Sequence, residues 1–173
     1  MLLLKNLTAQ LLCLFTFIPS VFADQYPFNY QIDIQHYAFA LTLSDDTDEI
    51  IGTASIKILF KSNDVGQFRL DLANKTQERL GKGMEVSSVT SEGTPLKYRH
   101  QGDALVIKMH EPVGKEILKT FIIEYRGIPE AGLEIKNNHF GDRTFFCESW
   151  PNNTRHWLPT IDHPYEKATV EFK

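Results

Sequence analysis

Histidine, cysteine and acidic side chains are concentrated in one stretch near the end of the sequence, CESWPNNTRHWLPTIDHPYEKATVEF. His156 and His163 are candidate metal ligands, but they stand seven positions apart in a loop that contains prolines. A zinc site needs three or four converging ligands, and the HExxH motif is absent from the sequence. Cys147 is a candidate nucleophile with His156 as its base, but no oxyanion hole can be identified, and a single cysteine at a strand end is more often a small packed hydrophobe. We therefore predict neither a metal site nor a catalytic residue here.

Most other residues of this stretch favour a structural role. The residues expected to bury apolar surface and stiffen the loop are Trp150, Trp157, Pro159 and Pro164. Asp162 is expected to accept backbone N–H groups in a turn, as aspartates commonly do. Arg155 is expected to pair with a nearby acid.

Glu148 is the one residue of the stretch that we consider a candidate for binding a ligand. GDRTFFCESW, residues 141–150, predicts a strand that runs into a loop, and Glu148 stands where the strand ends. A carboxylate in that position can point into a cleft. A solvated or ion-paired glutamate is the alternative that the sequence leaves open.

The segments before this stretch alternate apolar and polar residues with a period of two. The side chains that share one face are Tyr37, Phe39, Leu41 and Leu43 in the first segment, Ala54, Ile56, Ile58 and Phe60 in the second, and Phe68, Leu70 and Leu72 in the third. Residues 104–109 and 117–127 show the same alternation. This alternation predicts antiparallel strands with one buried face, and hence an all-β sandwich.

Turn-forming residues separate these segments. Residues 44–49 predict a hairpin between the first two strands, and the same is expected of residues 61–64, 91–95, 100–103 and 110–116. Residues 74–83 lack alternation and predict a loop or one helical turn. The last segment predicts a strand with Ala168, Val170 and Phe172 on one face. It has no downstream partner, which suggests a sheet that is incomplete at its C-terminal end.

Length and composition predict a single domain, and the N-terminal residues predict that it is exported. The chain has 173 residues, a formal net charge of −4 and 42% hydrophobic residues, enough for one packed core. No basic stripe is present, so nucleic acid is not an expected partner. Residues 1–23 have the form of a secretory signal peptide, with one lysine, a short apolar run and small residues before Ala23. We expect a mature domain over residues 24–173, without a membrane span, in the periplasm or secreted.

The motif residues resemble the end of the N-terminal domain of the aminopeptidase N family, the zinc exopeptidases that include leukotriene hydrolase. That family carries an Arg, an aromatic-rich stretch ending in Pro, then an Asp, a Pro and a Lys before a strand. The matching positions are Arg155, Trp157, Pro159, Asp162, Pro164 and Lys167. The segments DIQHYAFALTL, GTASIKILF and FRLDL match the family's first strands in order. The resemblance covers residues 31–173.

This resemblance implies a saddle-like β domain that precedes a thermolysin-like catalytic domain. The family's catalytic domain holds the GxMEN strand, the HExxH zinc helix, a further Glu ligand and a Tyr that steadies the transition state, and none of these occurs in this sequence. The resemblance thus implies zinc in the catalytic domain, no cofactor in this chain, and no activity for this chain alone. The implied partners are the catalytic domain of the same protein and the peptide substrate of the full-length enzyme.

The resemblance also implies a role for Glu148. In the family, an acidic or amide side chain shortly before the Arg helps to hold the free α-amino group of the substrate, and Glu148 takes that place in the strand. The segment between Glu148 and Arg155 is longer than the family's common spacing. The implied function is recognition of the substrate amine and capping of the catalytic domain in an exported zinc aminopeptidase.

Two other functions remain open from the sequence. A stand-alone peptide- or protein-binding β-sandwich without catalysis would be monomeric and fold cooperatively, whereas an orphan domain would expose sheet edge and apolar surface. A carbohydrate-binding sandwich would need exposed aromatic side chains on a flat face, and the sequence does not show exposure.

Overall fold

A computed structural model describes residues 25–173, which form eleven β-strands and one short 3₁₀ turn. The predicted signal peptide, residues 1–23, lies outside the described residues. The strands are β1 Ile32–Thr42, β2 Ile50–Phe60, β3 Val65–Asp71, β4 Gly83–Ser91, β5 Thr94–Pro95, β6 Lys97–Gln101, β7 Ala104–Val113, β8 Ile117–Ile128, β9 Leu133–Asn137, β10 Arg143–Cys147 and β11 Thr169–Phe172. The 3₁₀ turn covers Thr154–His156. The predicted all-β fold is confirmed.

In the described part of the chain the strands are arranged in three sheets. The largest has the order β11-β1-β2-β8-β4-β5, a second has the order β3-β7-β6, and β9 pairs with β10 in the third. The pairs are antiparallel except that β1 and β11 run parallel. Within residues 25–173 no helix is long and apolar enough to cross a membrane.

The core lies between the six-stranded and the three-stranded sheet. Phe68 of β3 packs edge-on against Phe121 of β8, with ring centroids 4.7 Å apart. Phe60 of β2 lies 6.3 Å from both rings. Every second residue of β2 from Ala54 to Phe60 is buried, as the alternation predicted. Each large apolar side chain buried in this way contributes about 1.5–3 kcal/mol to stability.

A β-bulge at Gln35 changes which alternate residues of β1 face the core. The register against β2 shifts there, so the buried residues are Ile32 and Ile34 before the bulge and Tyr37 and Phe39 after it. Leu43, which the alternation placed on the buried face, lies beyond the end of β1 and is 40% exposed.

Three of the five predicted hairpin turns are confirmed, those at residues 44–49, 91–95 and 100–103. The prediction is wrong for the other two. Residues 61–64 lead from β2 to β3 in a different sheet. Of the predicted turn at residues 110–116, residues 110–113 belong to β7, and residues 114–116 lead from β7 back to β8 in the other sheet. Turn-forming composition marks a change of direction, but it does not tell whether the flanking strands pair or cross between sheets. Residues 75–82, which the sequence predicted as a loop or one helical turn within 74–83, form a loop with a turn at residues 77–81, and Gly83 begins β4.

The last strand pairs with the first. β11 lies parallel to β1 at the edge of the large sheet, with Thr169 opposite His36 and Phe172 opposite Phe39. The last strand of the described residues thus has a partner upstream, in the first strand. The ring of Phe172 lies 5.6 Å from that of Phe39, yet the residue remains 55% exposed.

The hydroxyl group of Tyr125 is buried without a hydrogen-bond partner among residues 25–173. Its ring lies over Gly52 of the neighbouring strand β2, which has no side chain to obstruct it. Burial raises the pKa of this phenol. Since an unpaired buried polar group costs about 1–3 kcal/mol, Tyr125→Phe is expected to leave the free energy of unfolding unchanged or to raise it by about 1 kcal/mol.

Urea denaturation measures this change, and Tyr37→Phe is the matched control. The buried Tyr37 hydroxyl accepts the N–H of Ile161 at 3.1 Å, so its removal is expected to lower the free energy of unfolding by about 1–3 kcal/mol. A loss for Tyr125→Phe as large as that of the control would contradict the assignment of an unpaired hydroxyl.

Candidate functional site

The hairpin of β9 and β10 places Glu148. These strands pair along their whole length, with Cys147 opposite Leu133 at one end. Glu148 follows directly, and its N–H donates to the carbonyl oxygen of Gly132 at 2.9 Å, which extends the ladder by one bond. The exposed Glu148 carboxylate accepts the N–H of Trp150 at 3.2 Å. The structure therefore places Glu148 at a strand end, as the sequence predicted.

Glu148 lines an open groove of about 360 Å³ beside the hairpin. The carboxylates of this groove and their cationic partners are Asp48 with Arg143 at 2.5 Å, Glu130 with Arg79 at 2.6 Å, Glu134 with Lys136, and Glu148 with none among the described residues. Among the described residues Glu148 is thus the one carboxylate of the groove without a cation within 4.0 Å, although Lys82 also lines the groove.

A chain of charged side chains fixes Glu130 at the border of the groove. The Arg79 guanidinium donates to both oxygens of Asp103, at 2.7 and 2.6 Å, while its Nε lies 2.6 Å from Glu130. Hydrogen bonding to Asp103 raises the pKa of Arg79. Glu130 also lies 3.3 Å from Nδ1 of His156. These contacts connect loops that are distant in sequence, and they engage Oε2 of the Glu130 carboxylate.

Asp162 closes the loop that follows the 3₁₀ turn. Its Oδ2 accepts the backbone N–H of Arg155 at 3.1 Å and the Nε–H of the same residue at 3.0 Å. Its carbonyl oxygen accepts from Arg155 Nη2 at 3.1 Å. The two expectations from the sequence, an aspartate that accepts backbone N–H groups and an arginine paired with an acid, are met in this single pair.

The aromatic and proline residues of the loop divide between core and surface. Trp157 and Pro159 are buried, as expected. Trp150 is 78% exposed and Pro164 is exposed, so the prediction that they bury apolar surface is wrong. Trp157 stacks beside Phe172, with ring centroids 6.2 Å apart, whereas Trp150 stands in the turn that follows β10. Lys167 is exposed, and its role as a motif residue stays a prediction.

The two histidines of the stretch do not converge on a metal site. His156 contacts Glu130, whereas His163 stacks on Tyr26 with ring centroids 4.6 Å apart. Over residues 25–173 no group of three or more His, Cys, Asp or Glu side chains is arranged to hold a metal ion. The described residues therefore do not fit the family's zinc ion, and we derive no step through zinc from them.

Cys147 is exposed and lies 3.4 Å from Ser149 Oγ. The interpretation of this residue as a packed small hydrophobe is wrong. It is the last residue of β10 in the two-stranded sheet.

Asp71 is the important residue of this region that sequence reasoning missed. The alternation assigned it to the outward face of β3, yet it is fully buried because residue Thr160 pairs with it through two backbone hydrogen bonds, at 2.6 and 3.1 Å. Its carboxylate accepts the N–H of Asp162 at 2.9 Å, lies 2.6 Å from Arg69 and accepts the hydroxyl of Tyr26. A buried acid thus anchors the loop that carries Asp162.

Gly132 allows the turn after β10 to approach the hairpin closely. Its φ is +79°, and a Cβ at this position would lie 2.2 Å from the carbonyl oxygen of Asn153. Gly132→Ala is expected to lower the free energy of unfolding by about 1–3 kcal/mol through the backbone conformation alone, and by more through the clash.

Gly93→Ala is the matched control for this substitution in urea denaturation. Gly93 has a φ of +77° and no atom within 4 Å of the position that a Cβ would take, so alanine there imposes the backbone strain without the clash. Equal losses for the two variants would contradict a role for the close approach at Gly132.

Comparisons with known proteins identify the fold. The sequence matches no protein-family model and no curated protein. A two-domain M1 zinc metallopeptidase bound to L-tryptophan aligns with a TM-score of 0.66 and 21% identity, over 82% of this chain and 32% of that one. The M1 zinc metallopeptidase from Deinococcus radiodurans aligns at 0.65 and 22%, over 81% and 31%. Yeast LTA4 hydrolase in complex with bestatin aligns at 0.67 and 20%, over 88% and 25%.

The described residues thus have the fold of a β domain of the M1 metallopeptidase type. This confirms, at the level of the fold, the resemblance that the motif residues indicated. The chain spans at most a third of the length of these solved structures, between 25% and 32%.

Proposed function

We propose that this chain is the N-terminal, non-catalytic β domain of an exported zinc aminopeptidase. The full enzyme removes N-terminal residues from peptides, and its catalytic domain holds the zinc ion. The fold supports this proposal, since the M1-type structures align over 81–88% of this chain. The form of residues 1–23 supports export to the periplasm or the outside of the cell.

Glu148 is the proposed ligand of the substrate's α-ammonium group. The observation that carries this assignment is the charge pattern of the groove, where the other three carboxylates are each paired with a cation. An ammonium group entering the groove gains most from the carboxylate that is not yet neutralised. Charge-assisted hydrogen bonds of this kind are about twice as strong as neutral ones.

In this account the chain binds and orients the substrate, and it performs no bond-breaking step. The Trp150 N–H holds one oxygen of Glu148, and the Gly132 carbonyl fixes its backbone, so the carboxylate keeps a defined position. A substrate whose α-amine lies on Glu148 presents its first peptide bond at a fixed distance from that anchor, which restricts hydrolysis to the amino end. Zinc in the catalytic domain would supply the activated water.

The chain by itself is expected to be inactive. Purified protein covering residues 24–173 should release no product from an aminoacyl anilide, even with added zinc, because the sequence lacks the HExxH and GxMEN motifs. Zinc-dependent turnover by a homogeneous preparation would contradict the non-catalytic assignment.

The domain assignment is tested by the mass of the native protein in the source cells, detected with an antibody to residues 25–173. Since the aligned part of this chain spans 25–32% of the similar structures, we expect a species several times larger than this chain. A species near 19.9 kDa or slightly below would contradict the proposal and favour a stand-alone binding module.

A further inference from the structure

An aromatic ladder lies on the surface outside the Glu148 groove. It consists of Tyr26, Phe28, Tyr30, His163 and Tyr165. The ring of Tyr26 stacks on His163 at 4.6 Å, and Phe28 packs on Tyr165 at 4.7 Å. Tyr30 lies nearly parallel to Phe28, with 4° between the ring planes and 5.9 Å between centroids. Tyr30 is 75% exposed and Phe28 is 37% exposed, so the outer end of the ladder presents aromatic surface to solvent.

A cleft of about 380 Å³ runs beside the outer end of this ladder. Its aromatic walls are Phe28, Tyr30 and Tyr165, and its charged residues are Asp33, Glu166, Lys61 and Lys167. Two acids and two lysines give the cleft no net charge. A cleft of this size is within the range of about 300–1,000 Å³ that is usual for small-molecule sites.

The polar groups of the cleft keep capacity for hydrogen bonds to a ligand. The Glu166 carboxylate accepts the N–H of Ile34 at 3.2 Å and the backbone N–H of Lys167, and one oxygen of Asp33 accepts from Gln35 at 2.6 Å. No ion pair between these acids and Lys61 or Lys167 is present within 4.0 Å among the described residues. The carboxylates of Asp33 and Glu166 can therefore still accept hydrogen bonds from a ligand, and the ammonium groups of the two lysines can donate them.

We propose that this cleft binds a neutral carbohydrate. A sugar ring has an apolar face of C–H groups that stacks on an aromatic ring, and hydroxyl groups that both donate and accept hydrogen bonds. Exposed Tyr30 supplies the stacking surface, and the mixed acids and lysines pair with the hydroxyls. The absence of net charge in the cleft favours a neutral ligand over an anionic polysaccharide. This proposal does not rest on the aminopeptidase assignment, because it uses none of the groove residues.

Proline-rich peptides also dock on aromatic-lined grooves, and they are the competing ligand in the test. A peptide in the polyproline conformation offers carbonyl acceptors but few donors, so it would leave the carboxylates of Asp33 and Glu166 without partners. The four charged side chains therefore favour the sugar.

The test is a nuclear magnetic resonance titration of the ¹⁵N-labelled chain with cellohexaose and with hexa-N-acetylchitohexaose. We expect saturable shift changes at the cleft residues with at least one of these oligosaccharides. Tyr30→Ala should weaken binding by about tenfold or more, equivalent to about 1.4 kcal/mol, while Tyr30→Trp retains it. Trp150→Ala, which removes an exposed aromatic ring elsewhere, is the matched control and should leave binding unchanged.

Three results would overturn the proposal. The first is that neither oligosaccharide causes saturable NMR shift changes, a result that needs only the unaltered protein. The second is binding of a proline-rich peptide or of dextran sulfate at the cleft without binding of either oligosaccharide. The third is an equal loss of affinity in Tyr30→Ala and Trp150→Ala.

Discussion

Replacing Asp71 with alanine is expected to lower the free energy of unfolding by about 3–5 kcal/mol. The Asp71 carboxylate is fully buried, lies 2.6 Å from Arg69 and accepts the N–H of Asp162 at 2.9 Å as well as the hydroxyl of Tyr26. Alanine removes the acceptor of both hydrogen bonds and the partner of the arginine. Small domains are stable by only about 5–15 kcal/mol, so this loss is a large share of the total.

Urea denaturation followed by circular dichroism measures the effect. Asp45→Ala is the control, since Asp45 is exposed in the turn between β1 and β2, and a surface change of this kind stays within about 0.5 kcal/mol. A loss below about 1 kcal/mol for Asp71→Ala would show that the buried acid does not anchor the loop.

Replacing Glu148 with glutamine in the full-length native enzyme is expected to lower kcat/KM for a free-amine substrate by about 10- to 100-fold. A hydrogen bond to a charged group is worth about 1.5–3 kcal/mol, which corresponds to this range. Glutamine keeps the shape of the side chain and can still accept the Trp150 N–H, so the change isolates the charge.

The rate ratio between a free-amine anilide and its N-acetylated form separates amine recognition from a general structural defect. In Glu148→Gln this ratio should fall together with kcat/KM. Glu134→Gln is the matched control, because Glu134 lines the same groove but is paired with Lys136, and it should change the ratio little. An unchanged ratio in Glu148→Gln would contradict the assignment of the amine ligand.

Alternation along the strands was sufficient to predict the all-β fold and most of the core. The buried residues of β2 follow the period of two without interruption from Ala54 to Phe60. The bulge at Gln35 and the strand pairing of β11 with β1 were not predictable, since both depend on contacts between segments far apart in the chain. Similarly, the turns at residues 61–64 and 114–116 have the composition of hairpins although they connect different sheets.

The candidate site was predictable in part. The place of Glu148 at a strand end followed from the pattern of residues 141–150, and the pairing of Arg155 with an acid followed from their types. The neutralisation of the other groove acids required the structure, because Arg79 and Arg143 reach Glu130 and Asp48 from distant segments. The burial of Asp71 was not predictable either, because it depends on pairing with Thr160 from a distant segment.

The central claim, that this chain is a domain of a zinc aminopeptidase, is tested most directly by the activity of the native polypeptide. The protein is captured from source cells with an antibody to residues 25–173 and assayed with leucine anilide before and after chelation. We expect hydrolysis that is lost with the chelator and restored by zinc. Captured polypeptide without any chelator-sensitive hydrolysis would contradict it.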